Sequence, residues 1–390
     1  MIYRKSISLK DWTVAKLGEI LTFKNGERPR SANKGIFPIY GANGVMGYSS
    51  KFLVDNDFTI VIGRIGTSGE VHLGMGKIWI SDNAIYSTDY DPNKIYVPFI
   101  YYLLQFSKLS QFASKTTHPI ITQSFLNAFT VVLPPLPEQK KTAEILGTVD
   151  EAIEKVEQAI ERTQRLKRGL MQELLTKGIG HKEFKDTEIG RIPKEWEVVR
   201  LKKVGNIRYG LSQPPETATH GIPMIRATNI KGGKIIGDEV LRVNPESIPN
   251  SKNPYLKEGD VIVVRSGAYT GDIALVTRKW AGAIVGYDLI ISPVRNMVIP
   301  EFLAHYLLSN SVQLYFASQR ERSAQPHPNS RELGNTLISL PPLPEQKKIA
   351  EILSAVDQRL ELLRKLKERL ERVKKGLMED LLTGKRRVKI

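Results

Sequence analysis

The nine residues Leu133-Pro-Pro-Leu-Pro-Glu-Gln-Lys-Lys141 return unchanged at Leu340–Lys348, 207 positions on (340 − 133). A repeat of that period restricts the chain to two copies of one plan. Each block is followed by a long, charged, periodic segment and preceded by one rich in Gly and aromatic residues. The order is globule, helix, globule, helix, with boundaries at 1–134, 135–180, 181–341 and 342–390. The predicted class is α+β: two mixed α/β globules separated by two long helices.

The helices are the clearest elements. Ile145, Val149, Ile153, Val156, Ile160, Leu166, Leu170 and Leu174 fall mostly three or four apart, with Glu, Lys, Arg and Gln between them. This narrow stripe has the form of a coiled-coil seam and predicts a helix over 138–177. Pro137 suits its first turn and Gly178 its end. Val356, Leu360, Leu363, Leu370, Val373, Leu377 and Leu381 carry the pattern into a second helix over 345–383. At ~1.5 Å per residue each would be on the order of 60 Å long, more than one small domain can cover. Such a stripe needs a partner, and the other copy is the nearest. The chain leaves each globule along a helix and must return, so an antiparallel pair within the chain is expected, with a globule at either end. A parallel pair in a homodimer is the alternative.

The globular segments correspond landmark by landmark. Trp12 and Leu17 are spaced like Trp196 and Leu201. Ile225-Arg-Ala-Thr-Asn229 stands where Tyr40-Gly-Ala-Asn43 stood, and Gly259–Gly267 repeats the pattern of Asp57–Gly66. Tyr287–Ile291 corresponds to Asn83–Tyr86, and Ile299–Leu308 to Val97–Leu104. Phe58–Ile62 predicts a strand, Pro98–Phe106 a helix, and Leu126–Leu133 a closing strand that Pro134 stops.

Charge narrows the function. Lys and Arg number 57 against 41 Asp and Glu, for a net +16 and a pI of 9.7. That balance implies a polyanionic partner, nucleic acid before others. An ion-paired basic surface is the alternative. With no cysteine there is no disulfide or thiolate metal site, and an intracellular setting is expected. No apolar run reaches the ~18 residues that span a bilayer, and Met1–Lys5 leads into no signal-peptide core. The 6 histidines show no metal spacing. Gly76, Gly233 and Gly384 precede lysines but lack the upstream glycine of a phosphate loop. Two globules on one scaffold with unlike surfaces suit two different half-sites on DNA, where paired readers sit roughly one helical turn apart.

At this point the residues resemble a known family, the specificity subunits of type I restriction–modification systems. The resemblance covers the whole chain. It is carried by the duplicated block, by Gly169-Leu-Met171 with Leu174-Leu-Thr176 and Gly376-Leu-Met378 with Leu381-Leu-Thr-Gly384, and by Ile189-Gly-Arg-Ile-Pro-Lys-Glu-Trp196. It implies that the globules are target-recognition domains, each reading half of a bipartite site in double-stranded DNA. It implies helices that fix the spacer and dock two methyltransferase subunits, with restriction subunits joining through that core. It also implies a chain without catalysis of its own, working in the cytoplasm, with S-adenosylmethionine, ATP and Mg on the partner subunits. In keeping with this, Asn253-Pro-Tyr255 lacks the second proline of an adenine-methyltransferase motif. A self-contained DNA enzyme and a protein-binding coiled-coil scaffold are the rival readings.

Candidate DNA contacts follow from residue chemistry. Arg64 and Arg265 hold equivalent places before Gly66 and Gly267, where an arginine in a Gly-rich loop can reach a guanine edge. A surface ion pair is the alternative for each. Thr67, Ser68, Ser266 and Tyr269 share these loops, and Arg226 lies beside the second Asn-bearing turn. Asn43 and Asn229 suit adenine, or simply make turns. Lys115, Thr116, Thr117, His118 and Gln123 form one polar loop before a closing strand. Arg320, Arg322, Ser323, Gln325, His327 and Asn329 form the other, and plain solvation is the alternative for both. Tyr40 and Tyr209 are further candidates for stacking, and Trp12, Trp196, Tyr102 and Tyr306 are assigned to the core. Gln139, Lys140, Lys141 and Glu144, with their copies Gln346, Lys347, Lys348 and Glu351, are read as a repeated docking face, shared ancestry without function being the alternative.

Overall fold

The computed structural model describes residues 11–29, 35–114, 119–237, 240–249, 253–321 and 329–389. The chain forms two compact units, residues 1–158 with 365–390, and residues 159–364. Each unit holds one globule and a part of both long helices.

In the first unit β1 (Thr13–Lys16) is followed by β2 (Leu21–Asn25), β3 (Phe37–Gly41), β4 (Gly44–Ser49), β5 (Val54–Gly63), β6 (Val71–Ile80) and β7 (Ala84–Tyr90). Then come α1 (Val97–Phe106), α2 (Gln123–Ala128) and β8 (Thr130–Leu133), and α3 (Leu136–Leu174) begins. Six strands form one sheet in the order β2-β7-β5-β6-β3-β4, antiparallel except where β3 runs parallel to β6. β8 returns to pair with β1, Leu133 opposite Thr13. Phe99, Ile100 and Leu103 of α1 share a core with Ile60 and Ile62 of β5 and Ile85 of β7. The expected closing strand is shorter than its apolar run. The Thr122 hydroxyl accepts the Phe125 N–H at 3.1 Å, and this N-cap turns 123–128 into helix.

The second unit follows the same plan. After a short hairpin of β9 (Phe184–Thr187) and β10 (Gly190–Pro193) come β11 (Glu197–Arg200), β12 (Gly205–Tyr209) and β13 (Thr217–Ile225). β14 (Val261–Val263), β15 (Ile273–Leu275), β16 (Ile284–Val285) and β17 (Leu289–Pro293) follow, then α4 (Pro300–Leu307), α5 (Asn310–Glu321), α6 (Ser330–Asn335), β18 (Leu337–Leu340) and α7 (Leu343–Leu382). The sheet order is β12-β17-β14-β15, β18 returns to β11, and β13 pairs in parallel with β16. Phe302, Leu303 and Leu307 of α4 pack with Val261, Val263 and Leu289.

Within each unit the two helix segments run antiparallel. In the first, Asp150 pairs with Lys374 at 2.7 Å and Glu157 with Lys367 at 2.7 Å. In the second, Lys167 meets Asp357 at 2.5 Å, while Leu174 shares a core with Ile349 and Leu353. Asp357 and Lys374 are the copies of Asp150 and Lys167 under the repeat, so one ion pair recurs with its partners exchanged. The seam is narrower than the apolar pattern implied. Leu166 and its copy Val373 are each 51% exposed, because a pair of helices covers one line of contacts and leaves the flanks wet.

Candidate nucleic-acid interface

Strand register makes the arginine loops comparable. In the first sheet Asn25, Ile85 and Ile62 stand side by side across β2, β7 and β5. In the second, Tyr209, Leu289 and Val263 do so across β12, β17 and β14. Arg64 and Arg265 lie two residues past Ile62 and Val263, just beyond β5 and β14. Gly66 and Gly267 follow at φ 90° and 75°, a left-handed turn that favours glycine, with open space around both. Both arginines are half-buried, and among the described residues neither side chain makes a hydrogen bond or ion pair. The ion pair weighed as an alternative is therefore absent there. A cation at a protein surface without a protein acceptor is available to an outside one.

The second loop is the more elaborate. The Arg265 guanidinium lies 5.1 Å from the Tyr209 ring centroid, and its Nε is enclosed without a partner. The Tyr209 hydroxyl accepts the Ser330 N–H at 2.9 Å, which places the loop beside Asn329 and the start of α6. Asp288 accepts the main-chain N–H of Arg265 at 3.2 Å. Burial pushes the Asp288 carboxyl up to about 6, against the opposing pull of that hydrogen bond and of the Arg265 charge. Asp288 and its neighbour Tyr287, at φ 42°, were not among the sequence candidates. A lone acid inside the apolar run to Ile291 was the available signal. In the first loop Ser68 donates to the carbonyls of Arg64 and Pro119, and Ile121 N–H reaches Arg64 O at 3.1 Å. Arg64 is thus brought against the segment that leads to Gln123.

The other candidates divide. Asn43 is exposed at the β3–β4 turn, and Arg226, Thr67 and Tyr269 are exposed, with Ser266 half-buried. Asn229 is 8% exposed, and its oxygen accepts the Arg226 N–H at 3.1 Å, so it makes the turn. Ser68 is buried, with its hydroxyl occupied as above. Gln123 is not in a loop but opens α2, and Asn329 caps α6 by accepting the Glu332 N–H at 2.9 Å. Thr122 and Asn329 are the same position of the repeat. Lys115, Thr116, Thr117, His118, Arg322, Ser323, Gln325 and His327 lie outside the described residues, as does the side chain of Arg320 near the end of α5.

The duplicated block has an internal cause that sequence reasoning did not find. Gln139 and Gln346 are buried at 1% and 0% exposure, which removes them from a surface docking face. Gln139 accepts the Tyr96 N–H at 2.9 Å and donates to the carbonyls of Lys94 and Pro134 at 3.0 and 2.9 Å. Gln346 makes the corresponding bonds to Ile299, Met297 and Pro341. Each glutamine ties a helix start to the loop before α1 or α4. The glutamates before them are also held. Glu138 takes Arg387 at 2.8 Å, and Glu345 takes His181 at 2.9 Å and the Trp196 indole N–H at 2.9 Å. Lys140, Lys141, Glu144, Lys347, Lys348 and Glu351 are exposed. Among the described residues no grouping of three or more His, Asp or Glu could hold a metal, and no helix is long and apolar enough to cross a membrane.

Comparison with known proteins agrees with this plan. The family model for the type I restriction modification DNA specificity domain matches residues 9–162 and 193–372. Each match covers one globule and runs into the long helix after it. The chain is 30% identical to the type I restriction enzyme MjaVIII specificity subunit of Methanocaldococcus jannaschii, over 97% of this chain and 94% of that one. It is 21% identical to the type I restriction enzyme EcoDI specificity subunit of Escherichia coli, over 87% and 80%. Its fold is similar to the crystal structure of the type I restriction-modification S subunit from M. genitalium, with a TM-score of 0.69 at 17% identity over 97% of both chains. A double match of this extent, on two globules whose strand registers agree, leaves one assignment: the chain belongs to the family of type I restriction-modification specificity subunits.

Proposed function

We propose that this chain is the non-catalytic, sequence-reading subunit of a restriction-modification complex, with one half of a bipartite double-stranded DNA site read by each globule. The observation that supports this most is the pair of register-matched arginines, Arg64 and Arg265, half-buried and without a protein acceptor among the described residues. The paired helices act as the spacer between the halves. Exposed Lys140, Lys141 and Glu144, and their copies Lys347, Lys348 and Glu351, form the repeated face for two methyltransferase subunits, narrowed by the burial of Gln139 and Gln346. Restriction subunits join through these. S-adenosylmethionine, ATP and Mg belong to the partners, and the complex works in the cytoplasm.

Binding of the purified chain to random and selected duplexes over a salt series tests this. A reader of DNA shows affinity falling steeply with salt, and one bipartite sequence standing above the random background. Salt-independent binding, or none, would favour the protein-scaffold reading. Methylation or cleavage by the chain without partners would favour a self-contained enzyme.

A further inference from the structure

The two arginine loops differ in what surrounds the arginine. By strand register, Tyr209 occupies the place of Asn25 and Asp288 the place of Ala84, so at these two positions the first loop has neither that ring nor that carboxyl. In the second, the guanidinium rests 5.1 Å from the Tyr209 ring centroid, and the ring is pinned through its hydroxyl to Ser330 N–H. Asp288, 2% exposed, fixes the Arg265 main chain. Tyr287, the residue before Asp288, is held left-handed, its N–H on Leu211 O at 2.7 Å. Such a conformation is costly for a residue other than glycine. A buried carboxyl and an unanswered guanidinium nitrogen are further costs to folding, and none of them packs a core. What they gain is a long side chain fixed in advance of binding. With Nε enclosed, the two Nη groups are the donors left for an outside acceptor, and an arginine fork matches N7 and O6 of guanine.

We propose that Tyr209 and Asp288 are positioning residues that hold Arg265 to read one guanine in the second globule's half-site. This rests on the DNA-reading role proposed above. The test is selection from a random duplex library by the full chain and by its Tyr209→Leu, Tyr209→Phe and Asp288→Asn variants. It is followed by binding to the selected duplex with that guanine replaced by 7-deazaguanine. The replacement weakens wild-type binding roughly 10-fold and leaves the Arg265→Ala variant unmoved. Tyr209→Leu and Asp288→Asn lower the preference for guanine at that position and leave the other half-site intact, while Tyr209→Phe, which keeps the ring, retains it. Thermal unfolding monitors the fold, and Asp288→Asn decides if Tyr209→Leu does not fold. Unchanged guanine preference in the folded variants, or a loss spread evenly over both half-sites, overturns the proposal. A wild-type chain that selects no sequence refutes DNA reading itself, a different failure.

Discussion

Arg265 is the residue on which the proposed DNA reading turns most. Its replacement by alanine should relax one base position in one half-site, at ~1–3 kcal/mol, as competition binding with single-base variants would measure. A loss equal on all sequences would make it a phosphate contact instead. Asp288 beside it leaves a mark on stability. Its folded carboxyl lies near about 6 against an ordinary 3.8, so the folded state takes the proton first. Its contribution is then present at low pH and fades as pH rises through about 6. His305 runs the other way. Burial, with Asp357 opposing and Lys167 reinforcing, takes it from 6.5 down to about 4, so its contribution is lost as pH falls through that range. The two offset each other in the wild type. Asp288→Asn should therefore lose ~1 kcal/mol more than the wild type between pH 7 and 5, read from urea midpoints; parallel pH profiles would contradict this. The equivalent placement of the two arginine loops was legible because glycines mark them. Asp288 and Tyr287 were not, because a buried acid and a left-handed tyrosine become visible only when neighbouring strands are in register.

Among the elements, the long helices were the most legible, since periodic apolar residues over ten turns leave little choice. Their observed bounds, Leu136–Leu174 and Leu343–Leu382, begin before the expected starts because the carbonyls of Pro135 and Pro342 already accept helical N–H groups. The short helix α2 was hidden inside an apolar run: the Thr122 cap starts it, and the turn to extended backbone at Phe129 ends it before β8. The block at each helix start was seen at once but given the wrong cause in part. Its glutamine recurs because three main-chain groups, two in the loop before α1 or α4 and one prolyl carbonyl just ahead of the long helix, demand the same amide. Gln139→Leu should leave those groups unmet and cost roughly 2–4 kcal/mol, and Gln346→Leu a similar amount, by chemical denaturation. A cost below ~1 kcal/mol in both would show that water replaces the amide.

For the molecule as a whole, the repeat was readable because the block, the tryptophans and the helix pattern recur in one order. The agreement of the two sheets was not readable. β13 pairs with β16 across nearly sixty residues, and nothing local in a chain specifies so distant a parallel contact. The central claim is that two unlike readers share one helical spacer. Its most direct measurement is selection of bound sequences by the full chain and by a variant lacking one heptad from each long helix at matched, facing positions. The account predicts that both half-sites persist unchanged, while the unread gap between them shortens by roughly 10 Å of helix, about three base pairs. An unchanged gap, or half-sites that alter with the helices, would contradict it.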